Sequence, residues 1–129
     1  MSQMPDPLND LILLEKDTRD FGFDWTDSLM IVDQAIDECR EIREAVEQQE
    51  SSDRIQEEIG DLLHTAISLC LFAGFNVNET IAKVNHKFGK RMEAVKTLTH
   101  KIGLSDLKGQ SMDKMMELWR QAKEMTKDE

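Results

Sequence analysis

The stretch 51-SSDRIQEEIGDLLHTAISLCLFAG-74 decides the fold class. Ile55, Ile59, Leu62, Leu63, Ala66, Ile67, Leu69, Cys70, Phe72 and Ala73 recur at the spacing of a helix and cover more than half its circumference. Asp53 with Gln56 three residues on reads as a capping box at the start, and Gly74 as the glycine that closes the end. The largely apolar part, Leu62 to Phe75, is too short to span a bilayer and contains His64.

Working outward, the same period continues on both sides. A helix is expected from Pro7 to Asp20, with Asp6 as N-cap ahead of a proline at the first position. A second starts at Thr26–Asp27 and runs to about Gln49, with Leu29, Val32, Ile36, Cys39 and Val46 at helical spacing. A fourth starts after Asn78, runs to about Lys101 and is closed by Gly103. A loop spans 104–110, Ser111 caps a final helix to about Met125, and the remaining residues are expected to fray. No period-2 alternation is long enough for a strand. The prediction is an all-α antiparallel bundle of about five helices in one domain over 1–129. No internal repeat, low-complexity tract or interdomain linker is expected. A chain of 129 residues leaves the broad apolar surface of the third helix incompletely covered, so a homodimer is expected to complete the fold.

Composition narrows the function. With 40% apolar and 33% charged residues the chain suits a folded protein rather than a disordered one. A net charge of −10 argues against a nucleic-acid binder, because phosphate backbones select the opposite sign. The N-terminus MSQMPDPLND has no basic segment followed by an apolar one, and Cys39 and Cys70 form neither a CxxC nor a zinc spacing. The expectation is a cytoplasmic protein with no membrane partner.

Charge is also segregated. Between Asp37 and Asp61 there are ten acids and three arginines, whereas between Lys83 and Lys101 six Lys/Arg accompany one acid, Glu93. A hard cation suits the first segment, and phosphates carried by that cation suit the second. Glu38 and Glu41 share one face of the second helix beside Ile31 and Ile42. Glu58 and Asp61 repeat the arrangement on the third, beside Leu62 and Leu69. Packing the two helices through their apolar stripes brings four carboxylates together, which must then protonate or hold metal. Oxygen-only ligands favour Mg²⁺ or Mn²⁺. Gly60 costs about 1 kcal/mol in mid-helix relative to alanine, so close packing or space beside the metal is expected there. Lys83, Lys87 and Arg91 form a stripe on the fourth helix, suited to phosphate oxygens. Trp119 and Lys123 stand one turn apart on the last helix, an aromatic face beside an ammonium group.

Each feature has a plainer reading: solvated helix faces for the charges, and core packing for Trp25, Trp119 and the methionines at 112, 115, 116 and 125. His64, His86 and His100 read as structural or surface residues. Asp61-x-x-His64 is half of a di-iron pattern whose second half is missing.

The ordered set resembles the MazG family of all-α nucleoside triphosphate pyrophosphohydrolases. The family's E-x-x-E, spacer, E-x-x-D signature corresponds to Glu38–Glu41 and Glu58–Asp61, with sixteen residues between. EEIGDLL is similar to E-E-L-G-D-L-L. VNHKFGKR is similar to N-x-K-F-x-x-R through Asn85, Lys87 and Arg91. ELWRQAK is similar to L-W-x-x-A-K through Trp119 and Lys123. Arg54 falls where members often carry a basic residue. The likeness covers roughly 23–123. Asp37 replaces the usual first glutamate, and Phe23-Asp24-Trp25-Thr26 replaces the usual C-P-W-D.

The resemblance implies Mg²⁺, with Mn²⁺ as substitute, on Glu38, Glu41, Glu58 and Asp61, and hydrolysis of a nucleoside triphosphate to monophosphate and pyrophosphate. It implies phosphate contacts from Lys87 and Arg91, helped by Arg54 or Lys123, a base stacked on Trp119, and dimers or dimers of dimers. Noncanonical nucleotides are one expected substrate class. A dUTPase-like or phosphoribosyl-ATP pyrophosphohydrolase specificity, or a non-catalytic nucleotide-binding helical module, stand as alternatives.

Overall fold

A computed structural model of the chain describes residues 4–127. The described residues form five α-helices and no strand: α1 (Pro7–Asp20), α2 (Ser28–Glu47), α3 (Ser52–Phe72), α4 (Val77–Lys101) and α5 (Met112–Thr126). The end of the expected fraying segment, 128–129, lies outside the described residues.

Local chemistry sets the ends. The Asp6 carboxylate accepts from the Asn9 N–H with Pro7 following it, Asp27 accepts from Met30, and Ser111 from Lys114. Two boundaries differ from the sequence expectation. The N-cap of α3 is Ser51, whose hydroxyl accepts from the Arg54 N–H, so Asp53 lies inside the first turn instead of opening a capping box. α4 begins at Val77, because the Asn76 side chain accepts from the Glu79 N–H. α3 closes on Gly74 at φ 87°, with Phe75 N–H donating to Cys70 and Gly74 N–H to Leu71. α2 closes through the same pair of bonds, from Glu50 to Ala45 and from Gln49 to Val46. Gln49, at φ 54°, takes the glycine position there.

The chain divides into two compact units, Met1–Thr80 and Ile81–Glu129. In the first, α2 and α3 form a helical hairpin, and α1 packs on α3. The centre of the hairpin seam is partly polar. α2 buries Ile31, Glu38 and Ala45, seven residues apart, and α3 buries Glu58, Thr65 and Ser68. The expected α2 stripe of Leu29, Val32, Ile36, Cys39 and Val46 faces outward, about 80–180° round the helix from that seam. On α3, Ile59 and Leu63 are likewise exposed.

The second unit is conventionally packed. Ala94, Val95, Leu118 and Ala122 are buried, with Met92, Leu98, Leu107 and Trp119 packed around the Ala94–Val95–Ala122 centre. The Thr99 hydroxyl, also buried, donates to the Val95 carbonyl.

Candidate metal centre and nucleotide site

Glu38 and Glu58 are the acidic side chains at the heart of the hairpin seam, 8% and 3% exposed. They stand beside Ile31 and Ile42 on α2 and Leu62 and Leu69 on α3, all buried or half-buried. One oxygen each from Glu38, Glu58 and the exposed Asp61 lies within 4.8 Å of the others. Glu41 is exposed but faces the same group. A hydrogen bond shared with Glu58, then the charge of Glu38, push its carboxyl up from the ordinary 4.5 to about 7. The structure therefore brings together all four carboxylates that the spacing singled out.

How the two buried glutamates are held defines what the cluster can bind. Glu38 Oε1 accepts from the Gln34 amide at 2.7 Å, and Glu58 Oε1 from the Arg54 guanidinium at 2.6 Å. Glu38 Oε2 and Glu58 Oε2 are buried and have no protein partner. Leaving a buried carboxylate oxygen unsatisfied is costly, and two of them in one acidic cluster repel. A hard divalent cation satisfies both, so the donor set fits Mg²⁺ or Mn²⁺. Arg54, expected among the substrate contacts, spends its guanidinium on Glu58 and, at 3.5 Å, on Glu57.

Gln34 was not singled out from the sequence. The signal was present: Gln34, Glu38, Glu41 and Ala45 are followed twenty residues later by Arg54, Glu58, Asp61 and Thr65. Gly60 has open space where a Cβ would stand, so close packing within the chain does not explain it.

The first unit also holds a cavity of about 430 Å³, lined by Leu11, Leu14, Phe23, Trp25, Met30 and His64 among others. Its floor is a polar knot. Arg19 donates to the Ser68 carbonyl at 2.6 Å and approaches Glu15 at 3.4 Å. The Trp25 indole N–H donates to the Ser68 hydroxyl at 2.9 Å, and that hydroxyl donates to Glu15 at 3.2 Å. His64 also contacts Glu15. Trp25 and His64 thus tie α1 and the 21–27 segment to α3, in keeping with the structural reading of both. Thr65, on the same face of α3, donates its hydroxyl to the Asp61 carbonyl, so cavity and carboxylate cluster lie within one turn of each other.

In the second unit, Asn85, Lys87 and Lys123 are exposed. Lys83, His86, Lys87 and Lys90 line one groove. Arg91, one turn beyond Lys87, has its guanidinium carbon 5.7 Å from the centre of the Trp119 ring. Phe88 meets the same ring at 6.0 Å. Trp119 is therefore a half-buried platform under Arg91, packed on the unit's core.

The family model of the MazG nucleotide pyrophosphohydrolase domain matches residues 27–96, more than half of the chain. The hairpin and its paired carboxylates lie within this match, and the chain belongs to that family. It is 32% identical over 114 residues to a protein of Escherichia coli K12 named nucleoside triphosphate pyrophosphohydrolase, covering 85% of this chain and 42% of the relative. It is 29% identical over 110 residues to the nucleoside triphosphate pyrophosphohydrolase/pyrophosphatase MazG of Thermotoga maritima, covering 85% and 41%. The chain thus spans less than half the length of these relatives.

Proposed function

We propose that this chain is a Mg²⁺-dependent nucleoside triphosphate pyrophosphohydrolase, releasing a nucleoside monophosphate and pyrophosphate. The observation that carries the reading is that Glu38 and Glu58, each with a buried, unpartnered Oε2, form one carboxylate cluster with Asp61 and beside Glu41. These four residues are assigned as the metal ligands. They would hold Mg²⁺, which would supply Lewis acidity toward the phosphate chain and a lowered pKa for an attacking water.

The chain's own residues do the rest. Without metal, crowding by Glu58 and Glu38 pushes the Glu41 carboxyl up to about 7; a bound cation offsets that repulsion and draws Glu41 into its ligand set as a carboxylate. Lys87 and Arg91 are assigned to phosphate oxygens, where positive charge offsets the charge that develops on the leaving pyrophosphate. Asn85 and Lys123 are assigned to the same phosphate chain. Arg54 holds Glu58 and, with a half-exposed side chain, is assigned to the phosphate chain as well. Trp119 supports Arg91 from beneath. The cavity beside Trp25 has the size and apolar rim for a flat base, with Glu15 and His64 at its floor to read polar edges.

The exposed Leu29, Val32, Ile36 and Val46 of α2, with Ile59 and Leu63 of α3, are the face on which a second copy of the chain packs in this reading. Among the described residues no single helix is long and apolar enough to cross a membrane, and both cysteines are free thiols. A cytoplasmic enzyme fits both facts.

The test is incubation with a panel of ordinary and modified NTPs and dNTPs plus Mg²⁺, with pyrophosphate and orthophosphate followed separately. Pyrophosphate is expected as product, with kcat/KM falling about 10³-fold in Asp61→Ala, the several kcal/mol that a metal contributes. Orthophosphate as the first product, or equal turnover in the mutant, removes the reading.

A further inference from the structure

Two helices of the hairpin hold their buried glutamates in the same way. On α3 the donor is Arg54, four residues before Glu58, and it takes Oε1 at 2.6 Å. On α2 the donor is Gln34, four residues before Glu38, and it takes Oε1 at 2.7 Å. In both cases Oε2 is left buried and unpartnered. An i, i+4 pair on a helix lies on one face, so each donor reaches its glutamate from one turn nearer the helix N-terminus. A carboxylate free to rotate offers either oxygen, whereas one pinned through Oε1 presents Oε2 in one direction.

We infer that Gln34 is a positioning residue for the metal centre, turning Glu38 so that its free oxygen faces Glu58 and Asp61. The inference rests on the metal-centre reading above and adds to it a residue that touches neither metal nor substrate. Hydrogen bonds from outside the coordination sphere orient the ligand and set how tightly metal is held. The two donors differ in one respect. Arg54 brings a full positive charge to Glu58, while Gln34 brings a neutral dipole to Glu38. Glu38 therefore keeps more of its negative charge for the cation, and the site holds two buried carboxylates with a single guanidinium paired to them.

The experiment compares Mn²⁺ binding, by electron paramagnetic resonance, in the full chain and in three variants. Gln34→Met keeps length and helix propensity but cannot donate. Gln34→Arg restores a donor of the kind α3 already uses. Glu38→Gln removes the ligand charge. Melting without metal, followed by circular dichroism, confirms that each variant folds. Gln34→Met is expected to weaken Mn²⁺ binding about tenfold to a hundredfold, and to lower metal-free melting modestly without abolishing the folding transition, because Glu38 Oε1 loses its donor. Gln34→Arg is expected to recover most of that loss, and Glu38→Gln to abolish binding. Parent-like binding in Gln34→Met with loss in Glu38→Gln overturns the role of Gln34 and leaves the metal centre standing. Parent-like binding in Glu38→Gln overturns the metal reading itself, and this inference with it.

Discussion

The seam of the α2–α3 hairpin and the core of the α4–α5 unit are built on opposite plans. Around Ala94, Val95, Leu118 and Ala122 the second unit buries apolar side chains and sends Lys83, Lys87 and Lys123 to solvent. The hairpin buries Glu38, Glu58, Thr65 and Ser68 and leaves Leu29, Val46 and Leu63 more than half exposed. The difference teaches that the hairpin is not optimised for the stability of one isolated chain. Its seam holds two buried carboxylate oxygens without a protein partner, and its outer face exposes apolar side chains.

Substitution at matched depth gives the largest expected contrast. Leu118→Ala in the second unit should cost about 2–5 kcal/mol, through lost burial and the cavity left behind. Glu58→Gln in the seam should instead raise the metal-free melting temperature, because it removes one of the mutually repelling carboxylates. Mg²⁺ should raise the melting temperature of the parent and not of Glu58→Gln. Thermal melts with and without Mg²⁺ read all three. A drop in Glu58→Gln comparable with Leu118→Ala would mean that the seam is an ordinary core, and the contrast would be lost.

A smaller effect separates the two regions by pH. In the metal-free folded chain, Glu58 and Glu38 push the Glu41 carboxyl up from 4.5 to about 7. The folded state therefore holds a proton that the unfolded chain has released between those values. Its contribution to stability is complete below about 4.5 and is lost as pH rises through about 7. Metal-free melting should fall across this window, Glu41→Gln should flatten the fall, and saturating Mg²⁺ should reverse it. A pH dependence unchanged in Glu41→Gln would place the titrating group elsewhere.

The smallest effect tests whether the hairpin's outer face is covered. A Cβ at Gly60 meets nothing within 4 Å in the chain. Gly60→Ala should therefore stabilise the isolated chain by about 1 kcal/mol, from helix propensity alone. Sedimentation and melting of the same variant decide the matter. A weaker dimer or a lower melting temperature would show that a second surface comes close at that glycine.

Much of this architecture is legible in the residues. Helix lengths, the Asp6, Asp27 and Ser111 caps and the closing glycines follow from short-range chemistry that acts within a turn or two. The carboxylate pairs are legible for the same reason, since i, i+3 spacing on a helix admits one geometry. The small errors also have local causes: Ser51 outcompetes Asp53 as cap, and Asn76 starts α4 ahead of Asn78.

What the residues alone did not decide is which stripe faces which. The α2 residues Leu29, Val32, Ile36, Cys39 and Val46 carry helical periodicity, but periodicity does not say whether the covering surface belongs to the same chain. Tertiary packing put Ile31, Glu38 and Ala45 in the seam instead. It also gave Gln34 and Arg54 their tasks, set Arg91 over Trp119, and assembled the cavity of α1 residues with Trp25 and His64. Sequence by itself determined the helices and their chemical faces, because those depend on neighbours along the chain. The choice of face belonged to the fold, because that free energy exists only once distant helices meet.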